Sequence, residues 1–245
     1  MSDWLNHAIK PDWHPHPRVR ALVTSRLGGA SAVPFDSLNL GDHVGDAPDA
    51  VARNRQLVRG ALPAAPLWLN QVHGTAVAEA ATAADGVEAD ASVMFGPGRV
   101  CAIMTADCLP VLLARQDGEG VGAAHAGWRG LCNGVLETTI ARLGEPGRLL
   151  AWLGPAIGPT AFEVGDEVRA AFVAHSIEAA AAFKPGVREG KWWADIYLLA
   201  YQRLAAAGVT HVFGGDLCTV SDATRFYSYR RDKVTGRMAA LIWRD

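Results

Sequence analysis

Apolar, β-branched runs bounded by turn-forming residues recur along this chain, and they predict many short strands. They fall at residues 18–25, 67–72, 92–95, 100–105, 110–114, 120–124, 149–153, 211–214, 226–229 and 238–243. In four other stretches the apolar positions follow helical spacing. Residues 49–62 follow Pro48 at a first turn and place Val51, Leu57 and Val58 near one face. Residues 131–143 carry Val135, Leu136, Ile140 and Leu143 at the same spacing. Residues 165–184 include the alanine-rich run Glu178 to Phe183, a good helix interior, and residues 194–207 stop at Gly208. Strands and helices are interspersed without strict βαβ alternation. That pattern predicts an α/β chain of the α+β-like kind, a mixed sheet with helices packed on it, as one domain over residues 1–245.

Composition narrows the function classes. The chain has 245 residues, 50% apolar and 20% charged, which excludes disorder and gives length enough for a real core. Lys plus Arg is 23 and Asp plus Glu is 25, so the net charge is −2. A near-neutral balance argues against nucleic acid as a partner, which would need a basic face. No stretch reaches the ~18 consecutive apolar residues of a bilayer span, so no membrane partner is expected. The opening residues are polar and broken by proline, unlike a secretory signal. The four cysteines, Cys101, Cys108, Cys132 and Cys218, form no Cys-x-x-Cys pair and are sparse. They are expected to be reduced, in a cytoplasmic protein.

Candidate chemistry gathers in three short segments at predicted element ends. These are Asn70-Gln71-Val72-His73-Gly74, Thr105-Ala106-Asp107-Cys108-Leu109-Pro110 and His125-Ala126-Gly127-Trp128-Arg129-Gly130. Two imidazoles and one thiolate, from His73, His125 and Cys108, can supply the three ligands of a catalytic zinc with a fourth position open. The same residues admit other readings. Cys108 can be a buried hydrophobe and either histidine a satisfied polar residue. Cys108 with His125 can form a nucleophile–base pair of the cysteine amidohydrolase kind. The three can also hold zinc in a non-enzymatic binding protein, although a structural site is ordinarily closed by a fourth ligand and no obvious fourth Cys or His accompanies these motifs. Two His and one Cys also describe a blue-copper centre, with Met104 as an axial ligand. Multicopper oxidation needs several copper centres, and the chain has eight histidines, three of them in the proline-broken start.

Anion-binding candidates are more scattered. Arg129 beside a predicted helix start can hold a phosphate, or simply decorate a tight turn. The stretch Ser221 to Asp232 mixes aromatics with Arg225, Arg230 and Arg231; read as a hairpin, it sets Arg225, Tyr227 and Tyr229 on one face. Asn39, Asp42, Arg53 and Arg55 are further polar candidates with ordinary cap and surface readings.

Together, seven segments carry a resemblance. They are Ser37-Leu38-Asn39-Leu40-Gly41, Ala52-Arg53-Asn54-Arg55, Gln71-Val72-His73-Gly74, Thr105-Ala106-Asp107-Cys108-Leu109-Pro110, His125-Ala126-Gly127-Trp128-Arg129-Gly130, Leu153-Gly154-Pro155-Ala156-Ile157-Gly158-Pro159 and Phe226-Tyr227-Ser228-Tyr229-Arg230-Arg231-Asp232. In this order they resemble the multicopper polyphenol oxidase (laccase-like) domain family, also called the purine nucleoside phosphorylase or peptidoglycan editing factor family. The resemblance implies an αβ sandwich similar to the cysteine hydrolase and toxin deamidase-like fold. It implies zinc rather than copper, held by His73, Cys108 and His125 as both ligands and catalytic residues. It further implies phosphorolysis of adenosine, inosine and methylthioadenosine, adenosine deaminase side activity, and a link to editing of peptidoglycan precursors. Purine nucleosides and phosphate are then the expected partners, with Asn39, Arg55, Arg129, Arg230 and Arg231 as candidates to bind them.

Overall fold

The computed structural model describes residues 3–245. In chain order its strands are β1 (Val19–Val23), β2 (Pro66–Leu67), β3 (Val77–Glu79), β4 (Ala91–Phe95), β5 (Val100–Thr105), β6 (Leu109–Arg115), β7 (Gly120–Ala126), β8 (Leu149–Leu153), β9 (Glu163–Gly165), β10 (Phe183–Pro185), β11 (Lys191–Ala194), β12 (His211–Gly214) and β13 (Met238–Arg244). Its α-helices are α1 (Trp4–His7), α2 (Pro48–Arg59), α3 (Trp128–Asn133), α4 (Val135–Leu143), α5 (Asp166–His175), α6 (Ile196–Ala206) and α7 (Tyr229–Asp232).

Two mixed sheets face each other. The larger runs β12-β8-β6-β7-β4-β3, with its outer pairs parallel and its inner pairs antiparallel. The smaller runs β1-β13-β5-β2, with only β2 parallel to its neighbour. Alternation along β6 sends Val111 and Leu113 to one face and Leu112 and Ala114 to the other. Leu112, Ala114, Val121 and Trp152 of the large sheet pack with Cys101, Ile103, Ala240 and Ile242 of the small one. The outer face of the large sheet is covered by residues of α3 to α6, including Leu131, Val135, Phe172 and Leu199. Residues of α1 and α2, including Trp4 and Val58, cover the outer face of the small one. Because both sheets are covered on both faces, their strands read as continuous apolar runs rather than alternating ones. Each fully buried leucine in these layers is worth ~1.5–3 kcal/mol of transfer free energy. A third, antiparallel sheet, β10-β11-β9, has its own ladders, and its Val164, Phe183 and Ala194 join the core on the outer face of the large sheet. The mixed α/β expectation therefore holds.

Local signals explain the helix ends. Pro48 occupies the first turn of α2, whose Ala50, Val51, Asn54 and Val58 are buried on one side. Asp195 caps α6 by accepting from the Leu198 N–H at 3.0 Å.

Four expectations need correction. The helix expected at 131–143 is two helices, α3 and α4, separated by Gly134 at φ 102°. The helix expected at 165–184 ends at His175; its alanine run is a 3₁₀ segment, Ile177–Ala182, leading into β10. There the ladder to β11 and the Asp195 N–H bond to the Ala182 carbonyl override alanine's helix propensity. Of the strand expected at 67–72 only Leu67 is in a strand and Asn70 in an isolated bridge to Glu88, while Trp68 and Val72 donate their N–H groups to the side chains of Asp85 and Asp90. The hairpin expected near 226–229 is absent: Phe226, Tyr227 and Ser228 are all buried, so the side chains do not alternate, and Ser228 caps α7 instead. All four cysteines are free, and among the described residues no helix is long and apolar enough to cross a membrane.

Candidate metal centre and its cavity

The three chemical segments converge. His73 lies in the loop after β2, Cys108 just before β6, and His125 near the end of β7. One donor atom from each lies within 4.8 Å of the others, the only such group of three found among the described residues. The Cys108 Sγ is 3.7 Å from His73 Nε2, and the two imidazole rings meet edge-on at 4.8 Å between centroids.

A buried carboxylate organises this group. Asp90, just before β4, accepts the His125 Nδ1 at 2.8 Å and the His73 backbone N–H at 2.9 Å through one oxygen. Its other oxygen accepts the backbone N–H groups of Val72 (3.1 Å) and Gly74 (2.6 Å). Asp90 thus replaces a strand partner for the loop that carries His73, and it fixes the His125 ring so that Nε2 is left for the centre. Burial raises the Asp90 carboxyl, but the His125 and backbone hydrogen bonds outweigh it and hold the group below its ordinary value.

Backbone geometry serves the same end. His73 (φ 63°) and Asp107 (φ 93°) are non-glycine residues in the left-handed region. Such conformations cost roughly 1–3 kcal/mol and persist only where the surroundings fix them. Asp107 is held by Thr219 Oγ1 and by the Arg230 backbone N–H, each donating to its carboxylate at 2.6 Å. Gln71 extends the edge of β5, its amide pairing with both the N–H and the carbonyl of Met104 at 2.8 Å. Gly127 admits no side chain: a Cβ there would come within 2.8 Å of the His73 ring and 3.1 Å of Cys108 Sγ.

The electrostatics favour a donor thiolate. Burial alone raises the Cys108 thiol, yet the His125 charge and hydrogen bonds from both imidazoles lower it to about 6. Burial likewise works against the His125 cation, but Cys108 and Asp90 raise it to about 9. A charged sulfur beside two imidazoles is the donor chemistry of a three-ligand metal site once His125 gives up its second proton to a bound metal, and the residues fit one.

These donors open into a cavity of about 870 Å³. Its walls include Trp68, Gln71, Met104 and Tyr229, with Arg55 and Arg237 as its two arginines. Arg55 stacks on Trp68 with its guanidinium carbon 4.7 Å from the ring centre, donates to the Leu40 carbonyl at 3.0 Å and pairs with Asp42 at 3.1 Å. The other candidates sit elsewhere. Asn39 is wholly buried and binds Gly41, Asp46 and the Arg237 backbone. Arg129 is exposed and lies over the Trp128 ring at 4.5 Å. Arg230 donates to the Glu163 carbonyl, and Arg231 to the carbonyls of Thr219, Val220 and Phe226. None of these four lines the cavity.

Sequence reasoning missed Asp90, although a lone acid between Ala89 and Ala91 ahead of an apolar strand must find a partner. Arg237, which follows Gly236 just ahead of β13, carries no such signal.

Residues 20–245 match the family model described as multi-copper polyphenol oxidoreductase laccase. The chain belongs to this family. Among its relatives, a Pseudomonas aeruginosa protein named purine nucleoside phosphorylase is 57% identical over 244 residues, covering 99% of both chains. An Escherichia coli relative named purine nucleoside phosphorylase YfiH is 54% identical over 245 residues, covering 98% of this chain and 99% of its own. A crystal structure of a Neisseria meningitidis protein superposes with a TM-score of 0.94 at 50% identity, covering 98% of this chain and 99% of that one. The family that the seven motifs resemble is thus the one to which the chain belongs.

Proposed function

We propose that this protein is a zinc-dependent purine nucleoside phosphorylase acting on adenosine, inosine and methylthioadenosine, with adenosine deamination as a side activity. His73, Cys108 and His125 are the proposed ligands, and the whole chain is one catalytic domain of the sandwich type shared with cysteine hydrolases and toxin deamidases. The observation that carries the reading is the convergence of these three donors on one side of a cavity large enough for a nucleoside. The relatives named as purine nucleoside phosphorylases support the choice of reaction.

Zinc, when bound, supplies Lewis acidity beside the substrate. The residues of the chain do the rest. Asp90 keeps the proton of His125 on Nδ1, so that Nε2 remains a ligand. Tyr229 and Trp68 offer flat walls for a purine, and Arg55, stacked on Trp68 and paired with Asp42, fixes the Trp68 ring in place. Zinc is preferred over copper because one three-donor group is present among the described residues, whereas multicopper oxidation needs several.

A second reading has an observation in its favour. A thiol lowered to about 6 next to a raised imidazole is also a thiolate–imidazolium pair, as in a cysteine amidohydrolase acting on an amide such as a peptidoglycan precursor. The test is to incubate purified protein with adenosine, with and without phosphate. Phosphate-dependent release of adenine and ribose 1-phosphate is expected, and is lost in Cys108→Ala. Inosine formed without phosphate would leave deamination alone. Turnover of a peptidoglycan precursor by metal-free protein would establish the second reading.

A further inference from the structure

We infer that Arg237 is the anchor for inorganic phosphate in the cavity beside the three donors. The identity of the anion rests on the phosphorolytic reading; the existence of an anion site there does not.

Of the two arginines that line the cavity, only one has its charge balanced. Arg55 is paired with Asp42. Among the described residues the Arg237 guanidinium forms no salt bridge. Among the described residues its guanidinium hydrogen bonds run only from Nη1, to the carbonyls of Thr235 (3.1 Å) and Gly236 (3.0 Å), which leaves Nη2 and Nε without an acceptor there. Burial works against its charge, and the charges of Cys108 and Asp107 offset this only in part.

The residue is nonetheless firmly placed. Its N–H donates to Asn39 Oδ1 at 2.8 Å, and its carbonyl accepts from Leu40 at 3.1 Å. Asn39 in turn is locked, accepting from the Gly41 N–H at 2.9 Å. The stem of Arg237 passes directly over Gly41, where a Cβ would lie 2.7 Å from its Cγ. A side chain held at its backbone and stem, with its charged fork free at a cavity wall, is preorganised for an oxyanion. The buried Asn39 that the sequence offers as a ligand candidate therefore acts one step removed, by positioning Arg237.

Phosphate is the member of this ligand class that the reaction requires. In phosphorolysis an oxygen of hydrogen phosphate forms the bond to the anomeric carbon while the C–N bond breaks. The bonding pair leaves on the base nitrogen, and the phosphate proton ends on the base. Arg237 holds the attacking anion with its two free donors.

The test compares wild type with Arg237→Ala, Arg237→Lys and Gly41→Ala. Initial rates with phosphate varied at saturating adenosine are expected to give a KM for phosphate raised about tenfold to a hundredfold in Arg237→Ala, the loss of one charge-assisted contact. Arg237→Lys falls between, because it keeps the charge and loses the fork, and Gly41→Ala, which displaces the stem, shifts in the same direction. The KM for adenosine changes less than threefold in each. In a separate readout, inorganic phosphate raises the melting temperature of wild type, and this rise is lost in Arg237→Ala. If Arg237→Ala does not fold, the Lys and Gly41 variants carry the same comparison. Unchanged phosphate KM in the folded variants, or a phosphate-induced melting shift that survives in them, would overturn the inference. If wild type cleaves no nucleoside yet loses its phosphate shift on substitution of Arg237, the anion site stands and the phosphorylase reading falls.

Discussion

Two regions of this chain look equally chemical in sequence, and the fold treats them in opposite ways. The His73–Cys108–His125 centre has donor atoms left over: His125 Nε2, the Cys108 sulfur and the His73 ring face one another after Asp90 has satisfied the surrounding N–H groups. The segment around Phe226 to Asp232 has little left over. Arg231 fastens three carbonyls and pairs with Asp232, Arg230 reaches the Glu163 carbonyl, and Tyr227 donates to the Phe35 carbonyl. The difference teaches that residue type marks a site only where bonding capacity is unspent. A metal centre needs free lone pairs and an anion site free N–H groups.

The comparison can be broken in four ways. The largest effect is expected from Cys108→Ala, which should lower phosphorolysis by more than the 10–100-fold typical of losing an outer partner. Next comes Asp90→Asn. It keeps the shape but withdraws the charge that faces His125, and a fall of about 10–100-fold in metal affinity or activity is expected. Zinc titration of the two variants ranks them.

Arg231→Ala should do the reverse, costing roughly 1–3 kcal/mol through buried carbonyls left unpaired, with kcat/KM within about twofold of wild type. Urea melts alongside initial rates separate the two behaviours. A large loss of activity in a variant that melts normally would show that the arginine-rich segment is chemical after all.

The smallest effect concerns Asp222, four residues before Phe226. Burial raises its carboxyl, but hydrogen bonds from Thr224 and Arg225 outweigh this and hold it below its ordinary value. A depressed folded-state value contributes stability above the unfolded pKa of about 3.9, lost as pH falls through the folded one. Asp222→Asn should therefore melt slightly below wild type at neutral pH, by less than about 2 °C, and the gap should close under acid.

Much of the fold was legible because doubly covered strands such as β5, β6 and β7 are long apolar runs that no loop would carry. The short strands β3, β9, β10 and β11 were not, since three or four residues hold no periodicity and owe their form to pairing. The aromatic run at Phe226 misled because propensity favours a strand, whereas packing buries three successive residues. The donors were legible as motifs at element ends. Asp90 and Arg237 were not, because their importance lies in which partners they find or lack, and that is decided by contacts far along the chain.

The central claim is that His73, Cys108 and His125 hold zinc for catalysis. Metal analysis of purified wild type and Cys108→Ala protein, by mass spectrometry of the elements present, tests it most directly. A single zinc ion per chain in wild type, largely lost from the folded variant, is the expected result. Copper in its place, or zinc retained in full by Cys108→Ala, would contradict it.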